Sequence, residues 1–570
     1  MAALDGVEIV VSAASGRSST AAASPFLAGG FAPAPSTQTP RACTVEAGSL
    51  PPDVAGTVAR VGPNPHPRNG PVSGYHWFDG DGYVHAVRLG GGRATYTGQW
   101  VATAQLLAEV RAGFPRYGRL GSMVGAVGAV VMGISAARAQ LGLGLRPAGA
   151  GGAPRAGVKR IAAADGSPAD AAAGRGTANT ALVVHAERVL ALGEGGLPYA
   201  LRVACEGVVQ TLGSTTFGRG AAGRGAVWTA HPREDAATGE LIGVNYHMGA
   251  APYAEVVTVS PAGAVTSVVP IRSMPRSAMI HDTALTERYV VVLDGPLRLD
   301  PARMVRAGTL PFAYHPEQPL RIGLHRRGDA GDGRMAWFSA PNGFIFHTVA
   351  AWEAPDGETV SLVACTYDRV ELSLAAGASS PGVLTRYDLH LASGGVTTRR
   401  LYTAGGGVDF PRVASTAFRG SAARPRYVYL SRLAAAGAVE MDALVKYDLA
   451  AEAVAGVARM PPDTYCGEAV FVPRGSGVAA GGAAAGAAED DGYLMTYTWS
   501  GGGAPGVKGA HSALRMWDAA TMAPVATLGL GGAHVPYGFH GVWLPADGLA
   551  GTAAGVEVPV DPDAEAVLNM

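Results

Sequence analysis

His231, His281, His347 and His540 each stand alone in the chain, in TAHP, MIHD, FIFHT and YGFHG, with no motif spacing between them. Their settings are apolar or turn-rich, and each comes just after a strand-like run. Single histidines scattered in this way are what a chain supplies when several elements converge on one point and each contributes one imidazole. They read as one metal site. HExxH, GxSxG and P-loop motifs are absent, which removes common hydrolase and nucleotide-binding chemistries. GRGAAGRG at 218–225 contains a GxGxxG, but it lacks the strand before, the helix after and the acidic residue downstream that a dinucleotide site needs.

The elements that would carry these histidines are mostly strands. ALVVHAERVLALGE, YVVVLD, ETVSLVACTYD, RYVYLSRL, GYLMTYTW and APVATLGL are strand-like runs bounded by Gly, Pro, Asp or Asn. Several are pairs broken by a short polar turn, as in antiparallel hairpins or propeller blades. Gly and Pro number 81 and 39, about a fifth of 570 residues, which fits many tight turns between short strands. A hydrophobic content of 48% supplies ample core, and a formal charge of -1 argues against nucleic-acid binding.

Cys43, Cys205, Cys365 and Cys466 are far apart and read as buried free thiols. No Asn-x-Ser/Thr sequon or signal peptide is present, so an intracellular location is expected. Residues 9–45 lack acidic side chains and are rich in Ser, Thr and Ala, like a transit peptide. Asp5 and Glu8 precede them, and plastid import stands as the alternative to the cytoplasm. Residues 120–145 begin with LGSMVGAVGAVVMGISAA, uncharged and apolar. Three readings stay open for them: an interfacial helix dipping into one leaflet, a cover over a hydrophobic tunnel, and plain core packing. Residues 147–177 and 475–488 are Ala/Gly-rich insertions.

Around the histidines lie GTVARVGPNPHP, YHWFDGDGYVHAVRL, GTANTALVVHAERVLALGEGGLPY, WTAHPREDAATGEL, SAMIHDTALTERYVVVLDGPL, NGFIFHTVAAWE, GVDFPR, GEAVFVPR, EDDGYLMTYTW and VPYGFHGVW. These segments resemble the carotenoid cleavage oxygenase family, from about Phe26 to Trp543. The resemblance implies an all-β dominated, seven-bladed β-propeller with a helical and loop cap over an axial non-haem iron. The oxygenase domain would then span 26–545, between an extension at 1–25 and a tail at 546–570.

By the same resemblance His231, His281, His347 and His540 match the iron ligands. Four neutral imidazoles suit Fe(II), leaving its charge unneutralised and, in octahedral geometry, two positions open. Tetrahedral zinc would be coordinatively full and cannot do redox chemistry. Glu194 and Glu468 match glutamates that hold the outer imidazole N–H groups. Asp409, in GVDFPR, stands where the family has a glutamate; either a bridging water or a shift of the strand would close the gap. Thr180 matches a threonine beside the open iron position, and Phe346 an aromatic of the substrate tunnel. HWFDGDG reads as a tight turn capped by its aspartates.

The implied function is Fe(II)-dependent cleavage by O2 of a conjugated double bond in a carotenoid or apocarotenoid. The motif wording is closest to plant-type enzymes that cut at the 9,10 and 9′,10′ bonds. Neither nucleic acid nor a protein partner is implied, whereas peripheral membrane contact is expected because the substrate dissolves in bilayers. The competing readings are the same fold cleaving stilbene-like phenylpropanoids, a catalytically silent carotenoid-binding propeller, and a generic propeller interaction module.

Overall fold

The computed structural model describes residues 24–70, 75–115, 117–126, 128–130, 176–203, 208–218, 227–329, 335–373, 379–403, 405–414, 424–434, 439–475, 487–501, 511–546 and 558–570. All six strand-like runs form strands. Among the described residues, all strands but the separate pair Leu297–Leu299 and Phe312–Tyr314 group into seven antiparallel blades arranged as a propeller.

Each blade starts with an inner strand. In blade order these are Gly541–Pro545, Ala181–His185, Arg233–Glu234, Ala284–Leu285, Phe344–Glu353, Val408–Arg412 and Val470–Pro473. The inner strands of blades four and five, five and six, seven and one, and one and two lie side by side. Outermost strands such as Val396–Arg400, Ala453–Arg459 and Thr44–Gly48 are largely exposed, as the rim of a propeller should be. Blades six and seven are joined by the short strand Thr464–Cys466, which pairs with both.

The ring closes twice. Gly541–Pro545 comes from near the C-terminus and pairs with Gly56–Pro63, completing blade one. Thr44–Gly48 comes from near the N-terminus and pairs with Pro524–Gly529 at the edge of blade seven. Closure of this kind ties the two ends of the chain into the first and last blades and leaves only the short outer edge of each blade at the rim. Blade one packs on blade seven through Val58, Val87, Tyr96, Met495 and Leu514, all buried. Within blade one Gly62 is needed, because a Cβ there would lie 2.6 Å from Gly538 Cα on the approach to the closing strand.

The HWFDGDG segment is more than a turn. Asp79 and His76 form a reciprocal cap on the short 3-10 helix Trp77–Asp79. Asp79 also accepts from the amides of Leu120 (2.6 Å) and Gly121 (2.8 Å). Arg119 donates to the buried Glu109 and to the Asp79 carbonyl. This buried polar network anchors the start of the apolar 120–145 segment to the propeller. Leu120–Ser122 is a 3-10 turn; residues 131–145, the 147–175 part of the first insertion and 476–486 of the second lie outside the described residues. No described helix is long and apolar enough to cross a membrane. Of the cysteines, Cys365 and Cys466 are buried free thiols as expected, Cys43 is only half-buried, and Cys205 lies outside the described residues.

Candidate metal centre

The propeller axis gathers one polar group from every inner strand or from the residues just before it. His540 precedes Gly541–Pro545, Thr180 precedes Ala181–His185, His231 precedes Arg233–Glu234, and His281 precedes Ala284–Leu285. His347 and Asp409 lie within their strands, and Glu468 comes just before Val470–Pro473. His347 falls at a break in register between Ile345 and Thr348, a bulge that re-aims a side chain.

The four imidazoles meet. Their nearest nitrogens all lie within 4.8 Å of one another, and His231 stands 4.5, 5.3 and 4.4 Å, ring to ring, from His281, His347 and His540. Metal–nitrogen bonds of about 2.0–2.1 Å put opposed nitrogens about 4.2 Å apart, so this spread fits one first-row dication. His231 Nε2 and His347 Nε2 are buried without a hydrogen-bond partner, which is costly unless a Lewis acid takes the lone pairs.

Burial, reinforced by the neighbouring imidazoles, holds His231 well below the usual histidine range. Burial likewise lowers His540 to about 4, although Glu468 pulls the other way. Both rings are therefore neutral and free to donate electron pairs. His347 is the exception, because Asp409 outweighs its burial and raises it.

Three carboxylates stand behind three of the imidazoles. Glu194 accepts from His281 Nδ1, Asp409 Oδ1 lies 2.8 Å from His347 Nδ1, and Glu468 Oε1 lies 2.9 Å from His540 Nδ1. Such bonds fix the tautomer and direct Nε2 inward. The shorter Asp409 thus reaches its histidine directly and needs no bridging water. Its strand bulges between Asp409 and Arg412, with Phe410 at φ 52.

Thr180 sits against His540, whose amide donates to the Thr180 carbonyl at 3.2 Å. Its hydroxyl donates to Asn179 Oδ1 (2.9 Å), while Asn179 Nδ2 holds the Phe78 and Gly80 carbonyls of the HWFDGDG segment. The Phe346 ring lies 5.6 Å from His281 and 4.8 Å from Phe344. It belongs to an apolar cluster with Met279, Tyr314 and Leu372. On the other side Phe410 packs 5.0 Å from His347 and 5.3 Å from His540. A cavity of about 360 Å³ opens beside Glu194, bounded by Trp228, Thr229, Tyr246, His247 and Phe312.

Several residues of the site escaped the sequence reading. Asp282, directly after His281, accepts from Arg233 (2.7 Å) and from the Thr348 amide (2.8 Å). It thereby ties together the segments that carry His231, His281 and His347; its place in MIHD was the available signal. Tyr246, Tyr367 and Arg412 bind the outer oxygens of Glu194, Asp409 and Glu468. A tyrosine in an apolar strand carries no mark of such a role.

The fold and the axial histidines define a propeller built around one non-haem metal. The family described as retinal pigment epithelial membrane protein matches residues 31–545. The chain is 32% identical over 539 residues to the carotenoid 9,10(9',10')-cleavage dioxygenase of Crocus sativus, covering 91% of this chain and 89% of the relative. It is 30% identical over 544 residues to the corresponding enzyme 1 of Arabidopsis thaliana, covering 92% and 90%. A cobalt-substituted apocarotenoid oxygenase from Synechocystis superposes with a TM-score of 0.66 at 25% identity, over 90% of this chain and 97% of that one. A Pseudomonas brassicacearum lignostilbene dioxygenase shares the fold, with a TM-score of 0.69 at 23% identity over 91% and 98%. The chain belongs to the carotenoid cleavage oxygenase family.

Proposed function

We propose that this protein is a non-haem Fe(II) dioxygenase that cleaves a conjugated double bond of a carotenoid or apocarotenoid, with its oxygenase domain spanning 26–545. The observation that carries the reading is the convergence of four single imidazoles on the axis, three backed by carboxylates. His231, His281, His347 and His540 hold the iron, and Glu194, Asp409 and Glu468 orient three of them. Bound there, Fe(II) supplies a coordination site and electrons for dioxygen. Thr180, placed against His540 with its hydroxyl proton given to Asn179, limits which small molecule fits beside the metal. Phe346 and its apolar neighbours hold the polyene and keep water from the reacting bond. One C=C and one O2 give two C=O groups, so both oxygen atoms end in the products and no further reductant is needed. The names of the plant relatives favour the 9,10 and 9′,10′ bonds.

The test is aerobic incubation of the Fe(II)-loaded protein with C40 carotenoids and shorter apocarotenals in detergent micelles, read by chromatography and mass spectrometry. Paired carbonyl products are expected. Intact polyenes beside a full iron site would overturn the reading.

Delivery of such a substrate favours a protein that works at a membrane surface, in the cytoplasm or the plastid. Phe114, Val124, Val130 and Val305 are large apolar side chains 40–60% exposed. Gly125, next to Val124, donates its amide to Thr309 just beyond the helix that bears Val305. Exposed apolar side chains of this kind insert among lipid headgroups. Val130→Asp combined with Val305→Asp should lower co-flotation with liposomes several-fold while iron content stays constant. Unchanged flotation would remove the membrane contact.

A further inference from the structure

Asp409 has one methylene fewer than the two glutamates that serve His281 and His540, yet its contact with His347 is as short as that of Glu468 with His540. A carboxylate can orient an imidazole only if it is itself held. Three donors hold this one beside the Cys365 thiol. Oδ1 takes His347 Nδ1 and the Phe410 amide (2.8 Å), and Oδ2 takes the Tyr367 hydroxyl at 2.6 Å.

Tyr367 ends the strand Thr359–Tyr367 of blade five and pairs there with Phe344, three residues before His347. It is 8% exposed, and its ring meets Phe346 edge-on at 5.5 Å. The phenol is thus fixed by the same blade that carries the imidazole. The other two carboxylates repeat the scheme: Tyr246 takes the outer oxygen of Glu194, and Arg412 that of Glu468. In all three, one oxygen faces a histidine and the other is locked by a donor from a neighbouring element.

We propose that Tyr367 is a positioning residue of the metal centre, whose hydroxyl locks the short Asp409 in the rotamer that aims His347 at the ion. The inference rests on the four histidines binding a metal, and the experiment separates the two claims. Apoprotein carrying Tyr367→Phe, Asp409→Ala, both or neither is titrated with Co(II). Visible absorption reports the ligand field and a competing chelator the affinity, and thermal unfolding of each apoprotein reports the fold.

Tyr367→Phe should weaken cobalt binding about 10-fold, the low end for loss of an outer partner, and shift the cobalt bands while the apoprotein melts as wild type does. The double variant should bind no more weakly than Asp409→Ala alone, because Tyr367 acts only through Asp409. Additive losses, or Tyr367→Phe with wild-type affinity and bands, would overturn the inference, as would a change confined to apoprotein melting. Failure of the wild-type protein to take up cobalt would instead sink the metal reading itself.

Discussion

His281→Ala should fold, lose its iron and form no cleavage products. Losing an outer hydrogen-bond partner already costs metal sites roughly 10–100-fold in affinity or activity, and losing one of four nitrogen donors removes the bond itself. The remaining imidazoles, His231, His347 and His540, would offer an incomplete shell that no longer retains the ion. The variant also leaves Glu194 facing the centre with only Tyr246 as partner. Folding should survive, because His281 is only half-buried and lies between strands rather than inside one. Metal analysis, circular dichroism and product chromatography on the same preparation make the check. Wild-type iron content with full turnover would strike His281 from the ligand set.

Glu468→Ala is expected to be the most damaging change among the three carboxylates, with iron affinity falling by about 100-fold, the upper end for an outer partner. The reason is charge. An Fe(II) ion brings two positive charges, Glu194, Asp409 and Glu468 bring three negative ones, and Arg412 adds one positive, so the centre as a whole is neutral. Glu468 is 5% exposed and holds His540 Nδ1, the Gly541 amide (2.9 Å) and Arg412 (2.8 Å). Burial alone would raise its carboxyl, but Arg412, His540 and the Gly541 amide together lower it to about 2. It is ionised at any working pH. Truncation leaves the half-buried Arg412 guanidinium, still bound to the Gly541 carbonyl, facing a dication without its counter-charge, and like charges held close together repel. Adding Arg412→Leu should therefore recover part of the affinity. A cobalt titration of both variants checks this: no recovery in the double variant would remove the charge argument, and undiminished binding by Glu468→Ala would remove the role of Glu468.

Much of this site is legible in the chain. Each histidine announces itself by standing alone beside a strand, and the surrounding motifs separate these four from the other ten. The strands are equally plain, because runs such as YVVVLD and GYLMTYTW are short, rich in β-branched and aromatic residues and bounded by turn formers. What the chain conceals is partnership across blades. Nothing local in VNYH or ACTYD distinguishes Tyr246 or Tyr367 from core tyrosines, since their roles depend on carboxylates 52 and 42 residues away. The reach of Asp409 was equally hidden. Side-chain length suggested a gap, but contact with His347 depends on where a bulged strand places the Cα. HWFDGDG read as a self-contained turn because its second set of partners, Arg119 to Gly121, lies some 40 residues on.

The double closure of the ring bears on how the chain is made. A chain leaves the ribosome N-terminus first, and a domain generally folds as a unit. His231, His281 and His347 emerge with blades three, four and five, but His540 arrives only with the strand that completes blade one. A nascent or prematurely ended chain can present three of the imidazoles and never the fourth. Assembly of the full nitrogen set thus certifies that translation has run to the closing strand, and an incomplete chain, which could otherwise expose a redox-active ion to oxygen without a substrate tunnel around it, is denied a complete iron-binding centre.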